Sequence, residues 1–224
     1  AYAQTAWLQP RLQTMLAAAQ TPEMFHIAAN AYRANGDLAS ALDMLEAAQA
    51  RADVTTDPAT LRREYSELIG VARQLAEGQA GAKRAATVQR AMKWGDTWRG
   101  VDTGNPQIDR ELGELLLAVG DEAGAWRQLS SVIERDPWTG TGYMTVAETF
   151  QARGKVDEAL PFWQQAIVID QTNPTPRLKK AQALLALGRH DEAKAILHDI
   201  TTQKWHDVWS NVVYQAQALA QSTK

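Results

Sequence analysis

The stretches AVGDEAGAWRQL (118–129), ARGKVDEALPFW (152–163) and ALGRHDEAKAIL (186–197) decide the fold, because they are copies of one pattern set 34 residues apart. A more distant copy, ANGDLASALDML, occupies 34–45. The glycines Gly36, Gly78, Gly120, Gly154 and Gly188 are spaced 42, 42, 34 and 34 residues apart. A fixed 34-residue period marks stacked helical hairpins, none of which can bury its apolar face alone. Arrays of this kind bind other proteins along their surfaces and seldom do chemistry.

Units set to begin at Pro22, Pro106, Gly140 and Pro174 align residue by residue. The eighth position is small (Ala29, Gly113, Ala147, Ala181) and the eleventh bulky (Tyr32, Leu116, Phe150, Leu184). Glycine follows at the fifteenth, alanine at the twentieth (Ala41, Ala125, Ala159, Ala193) and a large apolar residue at the twenty-fourth (Leu45, Leu129, Trp163, Leu197). Small residues let two helices approach, and the large one between them fills the groove. The glycine falls where the first helix ends, a place for a left-handed residue. Asp37 and Asp121 follow as caps or first-turn acids of the second helix, and Asp157 and Asp191 sit near the same positive terminus. Second helices carry apolar stripes, such as Leu38, Ala41, Leu42, Leu45 and Ala48, or Ala193, Ile196, Leu197 and Ile200. Pro161 departs from the pattern, removing a backbone donor inside a helix.

In spacing and residue type, down to the aromatic Phe25 or Tyr143 at the fourth position and Pro137 at the close of a unit, the chain resembles the tetratricopeptide repeat family. The resemblance covers residues 22–52 and 105–221. It implies an all-α superhelix of stacked hairpins, a solenoid of about 12 helices. The layout read over 1–224 is one array: a cap helix and first unit (1–55), a longer degenerate hairpin and loop (56–104), three units (105–206) and a capping helix (207–221). Residues 56–103 fit less well, since Val71 and Lys83 stand where small residues are expected.

The chain has 23 basic and 26 acidic residues, a net charge of −3, so nothing in it suggests nucleic acid. No run of about 18 apolar residues would insert into a membrane. The absence of cysteine excludes disulfides and thiolate sites and permits cytoplasm or periplasm. The opening AYAQ reads as a boundary within a longer protein, or as the end of a secretory signal. His190, His198 and His206 lie eight residues apart, about 12 Å along one helix, too far to share an ion. The segment GTG at 140–142 is read as an inter-repeat turn rather than an anion cradle. No nucleophile–base ordering, cofactor motif or metal set appears, and the chain reads as non-catalytic.

In the family, positions two, five, nine and twelve of each first helix line the concave wall. Carried over, that selects Glu23, His26, Asn30 and Arg33, then Gln107, Arg110, Glu114 and Leu117. The later units supply Thr141, Met144, Glu148 and Gln151, then Thr175, Leu178, Gln182 and Leu185. The fifth positions hold no lysine, so the resemblance does not extend to the clamp with which some relatives hold a partner's terminal carboxylate. A protein or peptide segment held by amide hydrogen bonds and apolar pockets suits this wall.

Two aromatic segments fall outside the pattern. Trp94 and Trp98 are read as entering a Gly/Asp-rich loop, where they either pack or serve as candidate hot spots. Trp205 and Trp209 are read as packing the last helix. The apolar face of Trp7 to Ala19 would cap the array or pack on a second copy. The resulting expectation is an interaction scaffold within a larger bacterial-type protein or assembly. The alternative is an accessory superhelix of a multidomain enzyme, or of a periplasmic polysaccharide or secretion export machine.

Overall fold

The structure, a computed structural model, describes residues 21–51, 57–135 and 137–223 together with Thr14. The helix expected over Trp7 to Ala19 lies, Thr14 apart, outside the described residues. Eleven α-helices and no strand occur among the described residues, and the fold is all-α, built of helical hairpins. Two compact units divide the chain, 1–126 and 127–224, at a point where the sequence sets no boundary.

The first unit contains α1 (Pro22–Ala34), α2 (Leu38–Gln49), α3 (Pro58–Glu77), α4 (Gly81–Val101), α5 (Pro106–Ala118) and the start of α6 (Glu122–Arg135). The second contains α7 (Thr141–Ala152), α8 (Val156–Ile169), α9 (Thr175–Ala186), α10 (His190–Thr202), a 3₁₀ turn (Asp207–Trp209) and α11 (Ser210–Ser222). Within each unit successive helices pack on one another as hairpins.

One turn is used four times. Gly36, Gly120, Gly154 and Gly188 have φ of 77, 84, 75 and 74°. In each case the next residue's amide donates back across the turn: Asp37 to Tyr32, Asp121 to Leu116, Lys155 to Phe150 and Arg189 to Leu184, at 2.9 to 3.0 Å. A left-handed glycine and a six-to-one bond of this kind satisfy carbonyls that a helix end leaves open. The aspartates complete two of the turns. Asp37 Oδ1 accepts from the Ser40 amide at 3.0 Å and Asp121 Oδ1 from the Gly124 amide at 2.8 Å. Gly78 does not join this set. Its φ is −81°, and the left-handed residue is instead Gly81, φ +56°, the first residue of α4. The middle hairpin therefore turns differently from the others, and its helices run to 20 and 21 residues.

The paired small residues are buried as their spacing predicts. Ala29 and Ala41, Ala147 and Ala159, and Ala181 and Ala193 are all at 0 % exposure. Around the first pair Leu42, Leu45, Tyr65, Leu68, Trp98 and Leu112 form the core of the first unit. The second unit is centred on Trp163, Leu184, Leu197 and Ile200, with Phe150 and Phe162 stacked at 5.5 Å beside them. Gly142, in the segment read as a turn, opens α7 and lies against α6, where an added Cβ would come 3.0 Å from the Val132 carbonyl oxygen. Backbone approach, not chain reversal, is what that glycine serves.

Two glycines inside long helices make opposite predictions. A Cβ on Gly95 would sit 2.5 Å from Leu112 Cδ1 in the closed core, whereas Gly70 faces open space. Gly95→Val should cost about 1–3 kcal/mol through overpacking. Gly70→Ala should gain about 0.5–1 kcal/mol by lowering the freedom of the unfolded chain. Urea denaturation of both variants reads the signs, and equal signs would contradict the packing described.

Candidate interaction surface

Three first-helix segments of the first unit, α1, α3 and α5, carry a wall of polar side chains tied to one another. His26 lies between two carboxylates of α3, with Nε2 3.6 Å from Glu64 and Nδ1 3.9 Å from Glu67. Arg33 Nη1 donates to Glu67 at 2.6 Å. From α3, Ser66 Oγ donates to Glu111 of α5 at 2.6 Å, and Gln107 donates to the same carboxylate at 2.7 Å. Arg73 of α3 pairs with Glu114 of α5. Exposed pairs like these contribute little each, about 0–1 kcal/mol, but together they hold side chains in fixed positions.

This wall contains six of the residues selected from the sequence: His26, Asn30, Arg33, Gln107, Arg110 and Glu114. The structure makes four of them part of its own bonding: His26, Arg33, Gln107 and Glu114. Asn30 stands exposed, and Arg110 is half-buried with no ion-pair partner among the described residues. The partners Glu64, Glu67, Ser66 and Arg73 were missed. They belong to α3, the hairpin that fits the repeat least, so no register pointed to them.

In the second unit Glu148 is exposed, and Gln182 is half-buried. Gln151 accepts from the Trp163 indole at 3.2 Å. Met144 packs on the core edge. Leu178 corrects the reading: at 2 % exposure it belongs to the hydrophobic core and offers nothing to a partner. Its leucine side chain is covered by the same alanine-lined interior that holds Ala181 and Leu184.

A second correction concerns Trp94 and Trp98. No loop contains them; both stand in α4. Trp98 is 0 % exposed and stacks on Tyr65 at 5.7 Å. The Trp94 indole donates to Glu46 of α2 at 2.8 Å. Burial pushes the Glu46 carboxyl up, but hydrogen bonds from Arg90 and Trp94 outweigh it and hold it below its ordinary value. These tryptophans fasten α4 to α2 and α3, which is the packing alternative, and they are not hot spots of a free loop. A buried pair further along was also missed: Arg99 Nη2 donates at 2.6 Å to Asp109, which is 1 % exposed at the position where the units beginning at Pro22 and Gly140 place Phe25 and Tyr143.

At the end of α4, Asp102 accepts from Arg62 Nε at 2.7 Å, from Arg62 Nη2 at 3.1 Å and from Asn105 at 2.7 Å. The Arg62 guanidinium, helped by Asn105 and Trp98, brings its carboxyl down from 3.8 to about 2.

At the C-terminal end, Trp205 donates to the Ile200 carbonyl at 2.8 Å and carries the Arg177 guanidinium over its ring at 5.2 Å. His206 Nδ1 accepts from the Val208 amide at 3.3 Å. Among the described residues no group of three or more His, Cys, Asp or Glu could hold a metal ion, and no helix is long and apolar enough to cross a membrane.

Two measurements check these roles. Trp98→Ala should lower unfolding free energy by about 3–5 kcal/mol, as large-to-small core changes do, where a loop residue would cost under about 0.5 kcal/mol. Asp102 has a lowered pKa in the fold, so its stabilising effect is complete above its ordinary value of 3.8 and fades as pH falls toward about 2. The stability difference between the parent and Asp102→Ala should therefore be largest near neutrality and shrink on acidification. A difference that grows on acidification would contradict the Arg62 contact.

The tetratricopeptide repeat profile matches residues 150–206. The mouse (Mus musculus) protein "DnaJ homolog subfamily C member 3" is 31% identical over 124 residues, 54% of this chain and 25% of that protein. "TPR repeat-containing protein YpiA" of Bacillus subtilis (strain 168) is 28% identical over 143 residues, 62% of this chain and 33% of that protein. The chain thus spans a quarter to a third of the length of these two relatives. Among solved structures, a thermophilic TPR protein of Thermus thermophilus aligns with a TM-score of 0.42 at 18% identity, covering 91% of this chain and 98% of that one. The repeated residue pattern and the four glycine turns are thus joined, over residues 150–206, by a match to the tetratricopeptide repeat profile.

Proposed function

We propose that the chain is a non-catalytic interaction scaffold that holds a peptide or protein segment of a partner against its first-helix walls. Tetratricopeptide repeats mediate protein–protein interaction, and a polar wall supports that use here. The observation that carries the reading is the bonded lattice across α1, α3 and α5. Its side chains are held before any partner arrives, which lowers the ordering cost of binding. In the second unit Met144, Glu148, Gln151 and Gln182 offer a separate wall with a larger apolar share, and Leu178 takes no part in it.

A second reading has one observation in its favour. The relatives named above extend well beyond the matched residues, as an accessory region of a longer chain would require. In that reading the repeats position a partner for an activity located elsewhere, in an assembly of bacterial type.

The test uses a partner recovered by crosslinking from the source cells and then purified. Alanine at His26, Asn30 or Gln107 should weaken its binding, by about 1–3 kcal/mol where the residue is a hot spot. Thermal stability should change little, since such surface positions usually shift it by under about 0.5 kcal/mol. Gln89→Ala and Lys93→Ala, exposed on α4, serve as controls. Loss of binding in the controls with none in the wall variants would overturn the assignment.

A further inference from the structure

The segment that joins α10 to α11 and one face of α11 enclose an open recess of about 290 Å³. Pockets that take drug-sized ligands run to about 300–1,000 Å³, so this one has room for a single long side chain. Trp205, His206 and Asp207 line one side, and Ser210, Val213, Tyr214 and Gln217, spaced i, i+3, i+4 and i+7, line the other. Tyr214 leaves 70 % of its surface in water, and Trp205 is fixed by its indole bond to the Ile200 carbonyl. The lining holds Asp207 and no lysine or arginine, a formal charge of −1. Only the backbone carbonyl of Asp207 is engaged, by Ser210 Oγ, and its carboxylate has no partner among the described residues. His206 Nδ1 accepts from the Val208 amide, so that nitrogen carries no proton. Charges nearby leave the sign unchanged. Arg177, over the Trp205 ring at 5.2 Å, is paired with Asp199 at 3.4 Å, and neither it nor the exposed Lys204 lines the recess. The amides of Val208 and Trp209, which could have held an anion, are both bonded to His206. An exposed carboxylate alone holds a cation weakly. Aromatic rings beside it strengthen the contact, because their quadrupoles attract a cation and their carbon atoms shield it from water.

We propose that this recess receives a lysine or arginine side chain from a basic segment of a partner, its stem along Val213 and its charged head between Asp207 and Tyr214. Long basic side chains suit such a place, since the stem covers apolar surface while the head stays at the wet edge. The site lies on the last helix, apart from the first-helix walls, and stands whether or not those walls bind.

The experiment records amide and indole resonances of the full chain titrated with blocked hexapeptides, Ac-Ala-Ala-Arg-Arg-Ala-Ala-amide and its Lys-Lys, Gln-Gln, Glu-Glu and Phe-Phe counterparts. The Arg and Lys peptides should shift the Trp205 indole and the amides of Asp207, Tyr214 and Gln217. They should bind about tenfold more tightly than the Gln peptide, as a charge-assisted contact beside aromatic rings requires. Asp207→Asn should remove that preference, and Tyr214→Ala should weaken both basic peptides about threefold or more. Both positions are exposed, so the melting temperature of either variant should stay close to that of the parent. The proposal is overturned if the Gln peptide binds as tightly, if the Glu or Phe peptide binds best, or if no peptide moves these resonances. It is also overturned if Asp207→Asn keeps the preference or Tyr214→Ala binds as the parent does. Shifts confined to first-helix positions such as Asn30 and Glu148 would leave the walls standing and remove this site. Shifts of Trp205 and Tyr214 on concentrating the chain alone would give the recess to a second copy and overturn the proposal too.

Discussion

A left-handed glycine is the constraint on which the hairpins depend. At Gly36, Gly120, Gly154 and Gly188 the chain must enter a region of backbone space where a Cβ is penalised, and at each the following amide closes the turn on the first helix. That closure fixes where the second helix starts and which face it turns inward. Only then do Ala29 and Ala41, or Ala147 and Ala159, meet closely enough to be sealed from water. The large residue of each second helix, Leu45 or Trp163, fills the space the alanines leave. Packing between hairpins thus follows from local turn geometry, and the first helices are left with a free face.

The middle hairpin of the first unit solves the same problem by other means. Lacking the repeated turn, α3 and α4 are held by length, by aromatic stacking of Tyr65 with Trp98, and by polar ties at their edges. Arg62 reaches Asp102 at one end, while Glu46 of α2 gathers Arg90 and Trp94. Gly95 lets α5 approach closely enough for Leu112 to lie on the helix backbone. The irregular hairpin supplies Glu64, Ser66, Glu67 and Arg73, the groups that bond the two regular first helices into one surface. Irregularity in the sequence and organisation of the wall have the same source.

How much of this was legible follows from which signals are local. The glycine turns, the alanine contacts and the aspartate caps are encoded within a few residues and read directly. Trp94 and Trp98 were misread because Gly95, Asp96 and Gly100 around them are loop-forming types, and the apolar residues of α4 make no clear stripe. Contacts with Leu112 and Tyr65, distant in sequence, override that local preference. Leu178 was assigned by register to the wall, yet packing in its unit turns it inward. The Arg99–Asp109 pair is ten residues apart across a helix boundary, and nothing in the residue pattern distinguishes it from two surface charges.

The central claim is that the first-helix wall is the face that meets a partner. A photo-crosslinking residue placed singly at exposed positions tests it in the cell of origin. Asn30 and Glu148 represent the walls of the two units, and Gln89 and Gln165 represent exposed second-helix faces. The account predicts a discrete crosslinked partner from Asn30, Glu148 or both, and none from Gln89 or Gln165. Crosslinks from the second-helix positions alone would contradict it.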